Sequence, residues 1–144
     1  WRIWNGPQEG TGLEGEEEQD ARSLSIPELD FSQIQLLTQL NQDTNETRIT
    51  GEESLKRLLE SGHIRLDAGV FLALWNNKQL IPESWKGKAV FFDGTILRNS
   101  RGHRCSLCLY WSGGSWSWHA YWLSNDRFAG NPSACLVKPL DLAA

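Results

Sequence analysis

Three side chains in the second half of the chain could do chemistry together: Asp93, Cys108 and His119. A thiol beside an imidazole is the minimum for a nucleophile and its base, and all three side chains are of types that bind zinc. The strand register derived below places them side by side across three strands. Cys108 lies between the other two, so the carboxylate cannot orient the imidazole as a catalytic triad requires. A half-buried cysteine with polar neighbours is therefore favoured over a catalytic or metal site.

The strands that carry this trio are predicted from residues 88–123, which hold four of the eight tryptophans. Ser112-Gly113-Gly114-Ser115 is typical of a two-residue hairpin turn, because glycine readily adopts the positive φ angles required there. The predicted pairs on one wholly apolar face are Trp111 with Trp116, Leu109 with Trp118, Leu107 with Ala120 and Cys105 with Trp122. The opposite face carries Tyr110 with Ser117, Cys108 with His119, and Ser106 with Tyr121.

A third strand precedes this hairpin if residues 99–102 form a four-residue loop. The predicted pairs are Ile96 with Cys105, Gly94 with Leu107, Phe92 with Leu109 and Val90 with Trp111. All of them fall on the apolar face, whereas a shift by one residue would invert the pattern. The three strands therefore form an antiparallel meander.

Two helices are predicted before the meander. Thr50-Gly51-Glu52-Glu53 fits a capping box that begins a helix over 51–61, and Gly62 suits its C-terminal end. Asp67 caps a second helix over 67–77 with an apolar stripe. Residues 28–40 fit either a helix or a strand, and 134–137 fits a further short strand. The predicted fold is α+β: an antiparallel meander of three to five strands, packed on its apolar face by both helices.

The 144 residues suffice for one domain with its own core. We divide the chain into an acidic Gly/Glu-rich arm, 1–22, and a single α+β domain, 23–144. Residues 1–30 carry a net charge of −6, and residues 84–128 carry +4. The arm could lie against the basic sheet, or the sheet could meet an anionic partner.

Candidate binding residues lie on the polar face of the meander and in its basic loops. Tyr110 and Tyr121, together with Phe91, would form an exposed aromatic patch for a protein partner. Arg101 and Arg104 could bind an anionic ligand or single-stranded nucleic acid. Reading of duplex DNA is disfavoured, because the second predicted helix is too apolar to contact base edges.

No metal or cofactor is expected from the remaining motifs. Cys105 and Cys108 match a CxxC motif, but residues three apart on a strand point to opposite faces and cannot hold one metal. No apolar run approaches the roughly 18–20 residues of a membrane-spanning helix, so no membrane association is expected. The odd number of cysteines favours a reducing compartment and a cytoplasmic location.

The chain also resembles a family of small, uncharacterised bacterial proteins known from genome-derived sequences. The resemblance rests on WRIWNGPQEGTGLEGEEEQDARS at the start, GEESLKRLLESGHIRLDAGVFLALW in the middle, and IPESWK, FFDGTILR, LYW and NPSA later. It implies a bacterial source, an acidic arm that belongs to the protein, and a strand within 33–40. No activity is assigned to that family, so the resemblance implies no functional residues.

The sequence favours a non-enzymatic binding or interaction module that presents a mixed aromatic and polar sheet face. An enzyme or metal site using Cys108, His119 and Asp93 is the alternative. A binder of an anionic ligand or single-stranded nucleic acid, acting through the basic loops, is the second alternative.

Overall fold

The computed structural model describes residues 14–24, 30–99 and 101–137, which form helices and strands of an α+β fold. The strands are β1 (Glu14–Gln19), β2 (Gln35–Leu37), β3 (Arg48–Thr50), β4 (Ile64–Arg65), β5 (Ala89–Arg98), β6 (Arg104–Ser112), β7 (Ser115–Trp122), β8 (Asp126–Phe128) and β9 (Ser133–Leu136). The α-helices are α1 (Ala21–Leu24), α2 (Gly51–Ser61) and α3 (Ala68–Asn76). Short 3₁₀ segments cover Phe31–Gln33, Gln42–Thr44, Lys78–Leu80 and Glu83–Gly87. The predicted α+β class is confirmed.

Seven of the described strands form one sheet in the order β2-β9-β5-β6-β7, with β1 added to β5 and β4 added to β9. Among the pairings of these described strands, only the one between β5 and β9 is parallel. β3 and β8 form a separate two-stranded ribbon. The prediction of three to five strands was too low. β2 lies within the strand considered at 33–40 and β9 overlaps the one predicted at 134–137, but β1 and β4 were not predicted, because their partners lie far away in the sequence.

The β6–β7 hairpin has the predicted register at every pair, from Ser112 opposite Ser115 to Cys105 opposite Trp122. Gly113 and Gly114 have φ angles of 60° and 83°, which a residue with a Cβ adopts only with strain. The prediction is confirmed here because the turn is local and sets the register by itself.

The predicted β5–β6 register was wrong. Val90 lies opposite Leu109 and Phe92 opposite Leu107, and an irregularity at 93–95 then brings Ile96 opposite Ser106. Gly94 is the centre of this bulge: its N–H donates to the Leu66 carbonyl at 2.8 Å rather than to β6. A Cβ at this position would collide with the Arg65 carbonyl and the Leu66 backbone. The bulge therefore exists because another segment of backbone packs directly on β5.

The two faces of the sheet are covered by different helices. The core face, which carries Leu107 and Leu109, packs against Phe71 and Leu74 of α3. The Phe71 ring lies 5.9 Å from Trp118, edge to face. Other buried side chains of the same core include Leu66, Ile81, Trp85, Val90, Phe92, Leu97, Cys105 and Ala134.

On the second face, which carries Ser106, Cys108 and Tyr110, α2 packs through Leu55 against Ile96 and Leu123. The prediction that both helices cover one face was therefore wrong. The turn after β5 and the bulge together cause this difference. Arg98 lies opposite Arg104, whereas the predicted loop over 99–102 would place it opposite His103, and this change moves Ile96 to the second face. The bulge then keeps Phe92 on the core face.

The side-chain N-cap hydrogen bond predicted for each helix forms. The Thr50 hydroxyl accepts a hydrogen bond from the Glu53 N–H at 3.1 Å, and Asp67 accepts one from the Val70 N–H at 3.0 Å. The Glu53 carboxylate accepts from Arg57 Nε at 3.0 Å. Side-chain caps of this type satisfy helix N–H groups that have no partner within the helix.

The segment 14–24 joins the acidic end of the chain to the sheet. β1 pairs with the second half of β5, from Glu14 opposite Arg98 to Gln19 opposite Thr95. Asp20, which is buried, accepts a hydrogen bond from the Arg65 N–H at 3.0 Å. The acidic strand thus lies against the basic end of β5, one of the two arrangements considered above; residues 1–13 of the arm lie outside the described residues.

Gly94→Ala should destabilise the protein by about 3 kcal/mol, because its Cβ would push apart two closely packed backbone segments. The free energy of unfolding by urea measures the effect. Gly87→Ala is the matched control: it has open space around the Cβ position and should change stability by less than about 0.5 kcal/mol. Equal stability of the two variants would contradict the proposed cause of the bulge.

Candidate functional site

The second face of the sheet is built on a buried carboxylate, Asp93, which has 0% exposure. Its two oxygens accept hydrogen bonds from Arg127 Nη1 and Nη2 at 2.7 and 2.8 Å. The Ser106 hydroxyl donates a third at 2.7 Å, and the Ser133 hydroxyl a fourth. Four strands, β5, β6, β8 and β9, therefore meet at one charged group.

Burial by itself would raise the pKa of Asp93, because it disfavours the charged form. The positive charge of Arg127 and the donated hydrogen bonds of Arg127, Ser133 and Ser106 act in the opposite direction. They hold the pKa below its ordinary value of 3.8. Asp93 is therefore an ionised, fully paired structural carboxylate and not a proton donor at neutral pH.

A second charged group adjoins the first. Arg65 is buried, and its Nη1 donates to the backbone carbonyl of Asp93 at 3.0 Å. Its Nε lies 3.6 Å from the carboxylate of Asp20, which also accepts hydrogen bonds from Arg22. The pKa of Asp20 is lowered: burial raises it, but the hydrogen bonds from Arg22 and Arg65 lower it more.

Arg127 connects the buried network to the surface. Its guanidinium carbon lies 3.9 Å from the centre of the Phe91 ring, while its terminal nitrogens bind Asp93. β8 carries Arg127 at its middle position and is paired with β3 on its other side. The ion pair, the ring contact and the ribbon together hold this arginine in one orientation.

An open cleft of about 160 Å³ lies above Phe91 and Arg127. We call it the aromatic cleft. Its aromatic lining residues are Phe91, Tyr121, Trp122 and Phe128. Its polar lining residues are Asn125, Asp126, Arg127 and Asn131. Tyr121, Trp122 and Phe128 are 37%, 37% and 48% exposed, which is unusual for side chains of this size.

The structure separates the predicted Asp93, Cys108 and His119 trio. Cys108 does lie opposite His119, but its neighbour on β5 is Phe91, so the predicted Asp93–Cys108 pairing was wrong. His119 is exposed, and its ring packs edge to face on Tyr121 at 4.7 Å. Cys108 is fully buried, and burial raises the pKa of its thiol to about 12.

All three cysteines are free and buried. Burial also raises the pKa of the Cys105 thiol to about 11 and that of the Cys135 thiol to about 12. Cys105 and Cys108 project from opposite faces of β6, as their spacing predicts. Among the described residues, no group of three His, Cys, Asp or Glu side chains could hold a metal ion.

Of the four predicted binding residues, Tyr121 alone lines the aromatic cleft. Tyr110 is half-buried on the same face, opposite Ser117. Arg104 forms an ion pair with Glu52 of α2 at 2.9 Å. Arg101 is exposed in the β5–β6 turn, where its N–H donates to Asn99 Oδ1 at 3.0 Å.

Most of the cleft residues were not predicted as binding residues, including Asn125, Asp126, Arg127, Phe128 and Asn131. These five belong to the stretch SNDRFAGN, which reads as turn residues around one apolar position. An arginine next to an apolar residue in a turn-rich segment is a weak signal, because surface arginines are common. Only the position of the buried Asp93, whose carboxylate Arg127 binds, distinguishes Arg127 from an ordinary surface arginine.

Comparisons of the chain with protein-family models, curated proteins and solved structures find no match. Among the described residues, none of the helices is long and apolar enough to cross a membrane. The functional argument therefore depends on the site itself.

Asp93→Asn should destabilise the protein by about 3–5 kcal/mol, because it leaves the buried Arg127 without a compensating charge. Urea denaturation at neutral pH measures this effect. The matched control is Asp126→Asn, which removes an exposed ion pair with Arg48 and should cost less than about 1 kcal/mol.

The same pair of variants has a pH readout. The lowered pKa means that the stabilisation by Asp93 is complete above pH 3.8 and is lost as the pH falls through the folded-state value. The wild type and Asp126→Asn should both lose stability in that acid range, and Asp93→Asn should lose less. Parallel profiles for all three proteins would contradict a stabilising role for the ionised carboxylate.

Proposed function

We propose that the chain is a non-enzymatic binding module whose binding site is the aromatic cleft. One observation carries this proposal: three of the five large hydrophobic side chains that are exposed in the described residues line this single cleft. The other two, Leu59 and Leu80, lie outside it. Clustered exposed apolar side chains mark interaction sites, whereas singly scattered ones need no explanation.

The lining of the cleft suits ligand binding. Aromatic side chains supply contact area, and a few polar groups fix the orientation of a ligand. Tyr121 packs against Phe91 at 5.8 Å and against His119 at 4.7 Å, so its ring is supported on two sides. A supported side chain loses little conformational freedom on binding, which favours affinity.

The base of the cleft is equally well held. Arg127 is locked between the Asp93 carboxylate and the Phe91 ring. Asn131 Oδ1 accepts a hydrogen bond from the Phe128 N–H at 2.8 Å, which orders the turn after β8. These contacts support a preformed site rather than one that must be assembled by its ligand.

The alternative enzymatic function has less support. A nucleophilic cysteine needs a lowered thiol pKa and access to substrate. Cys108 is buried, and its thiol pKa is raised. His119 lies beside it on the sheet but projects into solvent and packs on Tyr121.

The three buried free thiols also support placing the module in a reducing compartment, the cytoplasm of a bacterial cell.

Cys108 in the folded protein should react with iodoacetamide at about pH 7.5 at least about a hundredfold more slowly than in urea, because little thiolate is present and access is blocked. Fragment-ion mass spectrometry of the tryptic peptide 105–127, which contains both Cys105 and Cys108, assigns the label to Cys108 and measures the rate. A cysteine introduced by Ser112→Cys in the exposed hairpin turn is the control. If Cys108 in the folded protein were labelled as fast as this control cysteine, the result would support the enzymatic alternative.

Fragments of varied chemistry should bind to the aromatic cleft in preference to other surfaces. We would add phenol, indole, cyclohexanol, acetate and glucose separately to the ¹⁵N-labelled full chain and record amide shifts. The proposal expects saturable shifts centred on Tyr121, Asn125 and Asn131. Phe128→Ala and Tyr121→Ala should abolish them, and Leu80→Ala, which truncates an exposed apolar side chain elsewhere, should not.

Shifts centred away from the cleft, or equal shifts in the cleft variants and Leu80→Ala, would overturn the proposal. Tyr121 packs on two rings, so its variant could be less stable; Phe128, at 48% exposure, tests the same cleft with little structural cost.

A further inference from the structure

We infer that the aromatic cleft binds one neutral sugar ring. The inference rests on the proposed binding function and adds the chemical class of the ligand. It is drawn from the hydrogen-bonding groups, the charges, the exposed rings and the size of the cleft, each of which restricts the ligand in a different way.

The polar groups of the cleft include hydrogen-bond donors and acceptors that are not fully used within the protein. Among the described residues, neither the Tyr121 hydroxyl nor the Asn125 side-chain amide has a hydrogen-bond partner. Asn131 uses its Oδ1 for the Phe128 N–H, so its amide nitrogen remains a donor. A purely apolar ligand would remove water from these groups and leave them unpaired, which is unfavourable. Hydroxyl groups both donate and accept, and so match this mixture.

The charges at the cleft are already balanced. Arg127 forms two hydrogen bonds with Asp93, and Asp126 lies 3.6 Å from Arg48 of the paired strand β3. A charged ligand would lose its hydration without gaining an unpaired charge of opposite sign. The cleft therefore selects an uncharged ligand, which excludes nucleotides and acidic peptides as its preferred occupants.

The aromatic lining adds an apolar surface beside the polar groups. Tyr121, Trp122 and Phe128 are the exposed rings, and Phe91 forms the base beneath Arg127. The face of an aromatic ring is electron-rich and attracts weakly positive hydrogens. A sugar ring presents C–H groups on its faces and hydroxyls around its edge, so it can contact aromatic rings and amides at the same time.

The volume of the cleft limits the number of sugar rings that it can hold. Its volume of about 160 Å³ is below the ~300–1,000 Å³ of sites for drug-sized ligands. This is space for a single six-membered ring. A longer glycan could place one of its sugar units in the cleft, because the cleft is open to solvent on one side.

The test is a titration of the ¹⁵N-labelled full chain with neutral monosaccharides, namely glucose, galactose, mannose and N-acetylglucosamine. At least one should give saturable shifts at Tyr121, Asn125 and Asn131 with a millimolar Kd, as befits a small open site. Glucuronic acid and glucosamine, which carry a charge, should bind at least about tenfold more weakly.

Asn125→Ala is the sharpest variant, because it removes a side-chain amide that has no hydrogen-bond partner among the described residues. Sugar affinity should fall at least about tenfold, while phenol binding should be retained. Leu80→Ala should change neither.

The outcomes separate this inference from the proposed function. Saturable binding of a neutral sugar that is weakened at least about tenfold in Asn125→Ala supports the inference. Phenol or a tyrosine-containing peptide bound at the cleft without any sugar response overturns the sugar inference and keeps the binding function. No response of the cleft to any probe overturns both.

Discussion

The buried Asp93 carboxylate is the constraint on which the rest of the structure depends. A carboxylate with no exposure is tolerated only if its charge is paired and its lone pairs are hydrogen-bonded. Arg127, Ser106 and Ser133 provide those partners from three other strands. The three strands must therefore keep one relative position, and the β3–β8 ribbon is held on the sheet by a charge rather than by apolar packing alone.

The same interaction explains how aromatic rings can remain exposed in an ordered site. Arg127 is fixed by Asp93 and lies flat on Phe91, which in turn contacts Tyr121. An exposed aromatic ring without such support would gain no stability from packing. Here the energetic cost of exposure is tolerated at a cleft whose base is part of the core network, which is the arrangement expected of a binding site.

The sequence determined the local features of this protein. The Gly113-Gly114 turn and the alternation of apolar side chains set the β6–β7 register, and Thr50 and Asp67 set the starts of α2 and α3. Each depends on residues within a few positions of one another, so a pattern in the sequence contains the information. The opposition of Cys108 and His119 follows from the same register, but nothing local shows that Cys108 is fully buried.

Only the tertiary structure decided the rest. Gly94 reads as an ordinary strand glycine until the Arg65–Leu66 backbone packs on it, and the resulting bulge changes the β5–β6 register in a way that no sequence pattern indicates. Asp93 and Arg127 are 34 residues apart, and the cleft gathers side chains from β5, β7 and the segment around β8. Hydrogen bonding and charge pairing act through space at such separations, whereas periodicity reports only neighbours along the chain. The folding of the ribbon onto the sheet, which the sequence does not reveal, therefore determined where the candidate site lies.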